Sequence, residues 1–359
     1  MSTPFDKATS NYKSSYFYKK NANLLKRLLI FFCLFNGLHL SAQKLSATKG
    51  IEQLREIVNQ SPAKNVNKNV LNFLTANQEK AFIDDSHYNV FLHEVDTFFN
   101  ESQDNYLDVL FFLGRRFQLS KQNQDAFPYL YKIELLMAPG KSYAFECEFY
   151  ELMGLSYFFF KRYEQSKVYL NKSLNCSNTT EHAKINILNT LGLIYSISNP
   201  EKSENYYTEA IELAKQTNNT VWVGVLSGNL GVLYYNKNQY DLARKFLTID
   251  FKTSKNAGEI ESALSAMTQL IEIDIVFNDA DGVKRKIQTI DSIVTADPKM
   301  RNSLSYYRSK ALWYEYTNDY EKALELYKQR QRINDSINRL RNIVNANNTE
   351  FQIDFEHRQ

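Results

Sequence analysis

The sequence predicts an all-α fold, a solenoid of antiparallel helix pairs that ends in a long helix. Only 11 glycines and 6 prolines interrupt 359 residues, which favours long helices. Amphipathic segments with helical spacing follow one another from about residue 101 onward. Four of the glycines stand in the same local pattern, 40, 38 and 39 residues apart. A fixed period in this range is typical of repeat proteins, in which each unit buries its apolar face against its neighbours.

The first 42 residues resemble a secretory signal. Lys19, Lys20, Lys26 and Arg27 precede the apolar run LLIFFCLFNGLHL, and Ala42 offers a small residue for cleavage. We expect cleavage after Ala42 and an exported protein, periplasmic or associated with the cell envelope. An uncleaved anchor in the inner membrane is the alternative, although the run is shorter than the roughly 20 residues that span a bilayer.

The mature chain is expected to be close to neutral. Without the leader it holds 37 basic and 39 acidic residues, so the sequence pI near 8.4 belongs mostly to the leader. Nucleic acid binding needs a clustered basic face. We therefore expect no nucleic acid partner for the mature chain.

Residues 43–100 contain three helical segments without a repeat pattern. They are KLSATKGIEQLREIV, VNKNVLNFLTANQEKAF and HYNVFLHEVDTFF. We expect them to cap the solenoid, because a terminal unit must present one polar face to water.

The repeat pattern is a glycine between an apolar residue and an aromatic one. Its four clear copies are Leu113-Gly114-x-x-Phe117, Met153-Gly154-x-x-Tyr157, Leu191-Gly192-x-x-Tyr195 and Leu230-Gly231-x-x-Tyr234. A second amphipathic segment follows each copy after a polar turn. Ala311 takes the glycine position in a weaker copy, forty residues after a degenerate unit near 269–277. The sequence thus predicts about six units over residues 101–331.

This pattern resembles the tetratricopeptide repeat, whose first helix carries Leu-Gly-x-x-Tyr and whose second carries Ala-x-x-x-Phe. The resemblance implies a right-handed superhelix whose first helices line a concave groove that holds peptides or partner helices. The family's usual repeat has about 34 residues, so longer helices or longer loops are expected here. The layout also resembles the exported sensor half of Bacteroidetes-type signalling proteins.

The repeat glycines need a structural reason, because a glycine inside a helix costs roughly 0.5–1 kcal/mol relative to alanine. We expect the two helices of a unit to cross closely there, since small residues let helix axes approach. In the fourth unit the sequence predicts that Gly231 faces Ala243, with Tyr234 and Tyr240 beside them.

Candidate groove residues follow from their distance to the repeat glycine on the first helix. They are Phe111, Arg115 and Gln118, then Glu151, Phe158 and Phe159, then Asn186 and Asn189, then Tyr235 and Asn236. Packing between units is the alternative role for the apolar members. The Lys, Arg and Asn with which some family members bind a terminal carboxylate are replaced at Phe111, Glu151, Leu155 and Leu193. A protein or peptide segment suits this surface better than a small ion.

No constellation of catalytic groups is visible, so we expect no enzyme, cofactor or metal site. The fragment Ala138–Ser142 resembles the end of a phosphate loop, but Leu135 replaces its other glycine and no strand precedes it. Cys147 and Cys176 are expected at adjacent ends of one helix pair, either as a disulfide or as two free thiols.

From Tyr320 onward the chain can form one helix of about 40 residues, about 60 Å long. In one hypothesis, 333–344 of the C-terminal segment 332–359 caps the last repeat. In the other, Ile337, Leu340, Val344 and Phe351 pair with a second copy as a coiled coil.

The function expected is a non-catalytic exported scaffold that binds protein or peptide. The alternative is the sensor part, or a truncated form, of a regulator that lacks its output domain.

Overall fold

The computed structural model describes residues 47–61, 65–76, 105–119 and 123–357, and the chain divides into two compact units, residues 1–109 and 110–359. Every regular element in these ranges is helical. The predicted leader and the third N-terminal segment lie outside the described residues. None of the described helices combines the length and the apolar character that crossing a bilayer requires.

In the first unit, α1 (Ala47–Gln60) packs against α2 (Val66–Ala76). Leu54 and Val70 are fully buried. The side chain of Asn69 donates a hydrogen bond of 2.7 Å to the hydroxyl of Ser61, just after α1 ends.

The described helices from residue 106 onward form six pairs. The pairs are α3 (Tyr106–Leu119) with α4 (Asn123–Leu136), α5 (Glu146–Phe159) with α6 (Tyr163–Leu174), α7 (Glu181–Ser198) with α8 (Pro200–Gln216), α9 (Thr220–Asn236) with α10 (Tyr240–Asn256), α11 (Ile260–Val276) with α12 (Ala280–Ala296), and α13 (Leu304–Tyr316) with α14 (Tyr320–His357). From α4 to α13, each second helix contacts the first helix of the next pair. From α5 to α13, each first helix also contacts the next first helix.

The unusual repeat length comes from longer helices in α9 to α12 and from a nine-residue connection between α4 and α5. From α9 to α12 the helices have 17 residues each and the turns between them have three. Asn238, Asn278 and Asn318 take the same place in the turns within three successive pairs, with φ of 57°, 53° and 61°. Asparagine tolerates this left-handed conformation, which ends a helix by turning the next backbone N–H towards a carbonyl near the helix end.

The repeat glycines allow a close crossing in the four pairs that carry one, but the atoms nearest a Cβ on Gly231 belong to Leu247 and not to the predicted Ala243. A Cβ on Gly231 would lie 2.8 Å from Cγ of Leu247 and 3.1 Å from its backbone nitrogen. Leu247 follows Ala243 by about one helical turn. The same relation holds in three other pairs, where the residues opposite are Leu130 for Gly114, Leu170 for Gly154 and Tyr207 for Gly192. Ala311, at the corresponding position of the sixth pair, is fully buried.

Two of the crossings also carry a buried hydrogen bond. The hydroxyl of Ser166 donates to the carbonyl of Gly154, and that of Ser203 donates to the carbonyl of Gly192, both at 2.8 Å. Both serines are fully buried and stand where the fourth pair has Ala243. A net hydrogen bond of this kind contributes about 1 kcal/mol, so it supports the contact that the glycine permits.

Cys147 and Cys176 are free thiols in contact at adjacent ends of α5 and α6. Burial, with a hydrogen bond to Cys147, raises the pKa of Cys176 to about 12. Because the thiolate is the reactive form, this environment lowers the reactivity of Cys176. Of the two alternatives for this pair, the structure contains the free thiols.

Helix α14 has 38 residues and contacts α13, its partner, and also α4 of the first pair. Ile333, Ile337 and Leu340 are partly buried. The side chains of Val344 and Phe351 lie outside those that the structure describes. Pairing of this helix with a second copy therefore stays a prediction.

We expect Gly231→Leu to lower the free energy of unfolding by at least about 1–3 kcal/mol, because the added carbons would overlap Leu247 and its backbone. Lys252→Leu is the control, since it places the same residue on the exposed face of α10, and it should change stability by less than about 0.5 kcal/mol. Urea unfolding of the two variants measures the difference. Equal midpoints would contradict the close crossing.

Candidate functional site

The candidate site is the surface formed by the first helices α3, α5, α7, α9, α11 and α13, called here the first-helix surface. All ten predicted groove residues lie on the first four of these helices. The structure separates most of them into polar residues that bond between neighbouring first helices and aromatic residues that pack against another aromatic ring. Asn236, the last residue of α9, is exposed.

Polar side chains link the first three interfaces between successive first helices. Arg115 forms an ion pair with Glu148 across α3 and α5. The amide of Asn186 donates to Glu151 Oε1 at 2.9 Å across α5 and α7, and that of Asn229 donates to Asn189 Oδ1 at 2.7 Å across α7 and α9. Gln118 adds a bond of 3.3 Å to the carbonyl of Leu152. We call these links, with the pair Glu272–Arg308 below, the polar ladder.

The ladder continues to the last pair. Burial and the nearby Glu272 carboxylate of α11 both raise the pKa of Tyr235 on α9. Glu272 also forms an ion pair with Arg308 of α13. The buried hydroxyls of Thr268 and Ser309 lie 2.6 Å apart across the same interface.

Two predicted groove residues are buried inside the ladder. Glu151 is 9% exposed and Asn189 is 8% exposed. Burial raises the pKa of Glu151, while the hydrogen bond from Asn186 opposes that rise. These positions stabilise the stacking of repeats, and their contact with a partner stays a prediction.

The predicted aromatic groove residues are partly buried, and each has an aromatic neighbour. Their ring partners, at centroid distances from 4.7 to 6.0 Å, are Phe145 for Phe111, Tyr163 for Phe158, Phe160 for Phe159 and Tyr240 for Tyr235. Such aromatic pairs stabilise beyond their buried area by about 0.5–1.5 kcal/mol. This packing agrees with the structural role considered for the apolar members.

Exposed apolar side chains lie at the C-terminal ends of three of the first helices, α3, α7 and α11. Leu119 is 60% exposed, Ile197 is 93% exposed and Val276 is 47% exposed. Each stands five residues after the repeat-glycine position of its pair, where the fifth pair has Ile271. A single exposed apolar residue is ordinary, but recurrence at one repeat position places them along one edge. We call these three residues the apolar rim.

A pocket of about 160 Å³ opens between α9 and α11. It is lined by Val225, Gly228, Asn229 and Val232 of α9, by Leu247 and Asp250 of α10, and by Ser262, Ser265, Ala266 and Gln269 of α11. The residues Val225, Ser262 and Ser265 are exposed and stand at its mouth. The second helix α10 forms its floor.

Asp250 is the charged group at the floor of this pocket. It is 9% exposed, and its Oδ1 accepts a hydrogen bond of 2.7 Å from Ser254. A Cβ on Gly228 would lie 2.4 Å from Oδ2, so the glycine makes room for the carboxylate. Burial raises the pKa of Asp250 to about 6. Within the described part of the chain, the buried Oε1 of Gln269 has no hydrogen-bond partner.

Asp250 lies on the second helix α10, so it is not among the groove residues predicted on the first helices. A signal was present in the motif GNLG, where Gly228 precedes the repeat glycine Gly231 by three residues. A second glycine on the same helical face indicates that a further group of the partner helix comes close there.

Comparisons with known proteins define the fold. No family model and no curated protein matches the chain. Among solved structures, NprR in complex with its cognate peptide NprX shares 17% identity, with a TM-score of 0.50 over 86% of this chain and 88% of that chain. A Rap protein complexed with Competence and Sporulation Factor shares 14%, with a TM-score of 0.50 over 87% and 93%.

A third structure is a signal transduction ATPase with numerous domains and a tetratricopeptide repeat sensor, from Pyrococcus horikoshii. It shares 13% identity, with a TM-score of 0.52 over 81% of this chain and 46% of that chain. The predicted fold class is therefore confirmed: the chain is an all-α solenoid of the tetratricopeptide-repeat type. The resemblance to Bacteroidetes-type sensors stays a prediction.

We expect Asp250→Asn to raise the free energy of unfolding at pH 8, on the order of 1–3 kcal/mol, and to change it little at pH 4. Burial raises the pKa of Asp250 from 3.8 to about 6, so the folded state disfavours the charged form. The contribution of Asp250 to the free energy of unfolding is complete below about pH 4 and is lost as the pH rises through about 6. Asparagine keeps the shape without the charge.

Urea unfolding at pH 4 and pH 8 measures this effect. The control is Asp335→Asn, which removes the same charge from an exposed position within α14. A difference between Asp250→Asn and the wild type that does not depend on pH would contradict the prediction.

Proposed function

We propose that the chain is a non-catalytic scaffold that binds a protein segment or peptide along its first-helix surface. The observation that carries this proposal is the apolar rim. Burying apolar surface on binding contributes roughly 25 cal/mol per Å², and the rim offers such surface on alternate helix pairs, the first, third and fifth. A bound segment that follows the helix ends would meet one rim residue after another.

The polar ladder supports the proposal because it fixes the spacing of the first helices. Its bonds between neighbouring repeats hold the rim residues at set distances before any partner arrives. A surface arranged in advance loses less conformational freedom on binding.

The structural comparisons add support at the level of the fold. The NprR structure holds its cognate peptide, and the Rap structure holds Competence and Sporulation Factor. A solenoid of this type therefore accommodates such ligands in related folds, and we carry that mode of binding to this chain as part of the proposal.

A library of random 12-residue peptides, displayed on phage and selected on the full chain, tests the proposal. We expect selected peptides to bind at least about tenfold more weakly to the double variant Ile197→Ser and Val276→Ser. The control is Val168→Ser with Leu242→Ser, which removes exposed apolar groups from the second helices α6 and α10. Calorimetry gives the affinities, and an equal loss in both double variants would contradict binding along the rim.

Export is part of the same proposal, supported by the order of charged, apolar and small residues in the leader. Protein isolated from the native host should begin at Gln43. N-terminal sequencing checks this, and an intact leader in the envelope fraction would instead favour the anchor.

The second candidate function is the sensor part of a signalling or transcriptional regulator. The length of α14 favours it, since this helix has 38 residues and its partner α13 has 13. In this candidate α14 connects two copies through Ile337, Leu340, Val344 and Phe351. Light scattering at micromolar concentration should then give twice the monomer mass, and Leu340→Glu should reduce it. A monomeric mass for the wild type would exclude the pairing.

A further inference from the structure

We propose that the pocket between α9 and α11 binds a basic side chain of the partner segment, with Asp250 as its counter-ion. The proposal rests on the proposed function for the source of that side chain, and it names the chemistry of one residue in the partner. The pocket itself can be tested without any peptide.

The pocket contains hydrogen-bond acceptors without donors, so it favours a ligand that donates hydrogen bonds. Within the described structure, no group donates to Oδ2 of Asp250, and Oε1 of Gln269 is likewise without a donor. The amide nitrogen of Asn229 already donates to Asn189 at 2.7 Å. An ammonium group has three donors and no acceptor, and a guanidinium has five, so either matches a carboxylate beside an amide oxygen.

The charges around the pocket also favour a cationic ligand. Three basic side chains of α10, α12 and α13 are paired elsewhere: Arg244 and Lys286 pair with Asp274, and Arg308 pairs with Glu272. Among the described residues, none supplies a cation to Asp250. A buried carboxylate without a counter-ion is costly, and a cation brought by a ligand removes that cost.

The walls of the pocket fit the stem of a basic side chain. Val225, Val232, Leu247 and Ala266 surround the path from the exposed mouth to Asp250. Lysine and arginine place their methylene groups along apolar surface while the charged end makes polar contacts. Gly228 keeps the end of this path open, because any side chain there would overlap the carboxylate.

The probe is n-butylammonium, added to the full chain with labelled Val, Leu and Ile methyl groups. We expect it to shift the methyl signals of Val225, Val232 and Leu247. Asp250→Asn should weaken this binding at least about tenfold, and Asp335→Asn should leave it unchanged. 1-Pentanol has a similar length without the charge and should not produce these shifts.

Binding of n-butylammonium should tighten as the pH rises from 5 to 7.5, since Asp250 must be charged. The groups that face it are Ser254 on its own helix, Asn229 on α9, and Ser262, Ser265 and Gln269 on α11, none of which titrates in this range. Gln269→Met removes the second acceptor and should weaken binding several-fold, which provides a test that leaves Asp250 intact.

The absence of pocket shifts at about 100 mM n-butylammonium would overturn the proposal. So would equal shifts with 1-pentanol, or unchanged affinity in both Asp250→Asn and Gln269→Met. Peptides selected on the wild type should be enriched in lysine or arginine, and peptides selected on Asp250→Asn should lose that enrichment. Tightly binding peptides without a preference for lysine or arginine would contradict the pocket proposal but not the scaffold function. Binding of n-butylammonium without any selectable peptide would contradict the scaffold function but not the pocket proposal.

Discussion

Within the helix pairs that carry a repeat glycine, the two helices cross so closely that the first has no room for a side chain at the contact. At Gly231 even the backbone nitrogen of Leu247 comes within reach of a Cβ. This approach places the first helices on one side, where the polar ladder connects them. It also brings Asp250 of a second helix to the first-helix surface, because Gly228 continues the close contact by one more turn.

The first-helix surface divides its residues between two tasks. Polar groups such as Arg115, Asn186 and Asn229 are bonded to a neighbouring repeat. The groups that remain open are the apolar rim and the acceptors of the pocket. In the proposed function, a partner would meet apolar side chains along one edge and the carboxylate of Asp250, which would give both contact area and a means of selecting sequence.

The fold could be predicted from the sequence because the repeat glycine is a local signal that recurs at a fixed distance. The residue that packs against Gly231 could not be predicted in this way, because the position of one helix along another depends on side-chain packing and not on periodicity. The nearest residue is Leu247 instead of Ala243. Distance from the glycine placed Glu151 and Asn186 on the right helices. It did not indicate that they bond to each other across the interface. Asp250 could not be predicted because its position at the pocket depends on Gly228 of the facing helix.

Helix α14 has a consequence for how the array comes apart. In a linear solenoid each repeat touches only its neighbours, so the end units can unfold independently of the rest. Here one helix contacts both α13 and α4, the sixth and the first pair. Opening either end removes contacts from the other, so the two ends share one cooperative transition and the array loses the frayed termini of an open chain of repeats.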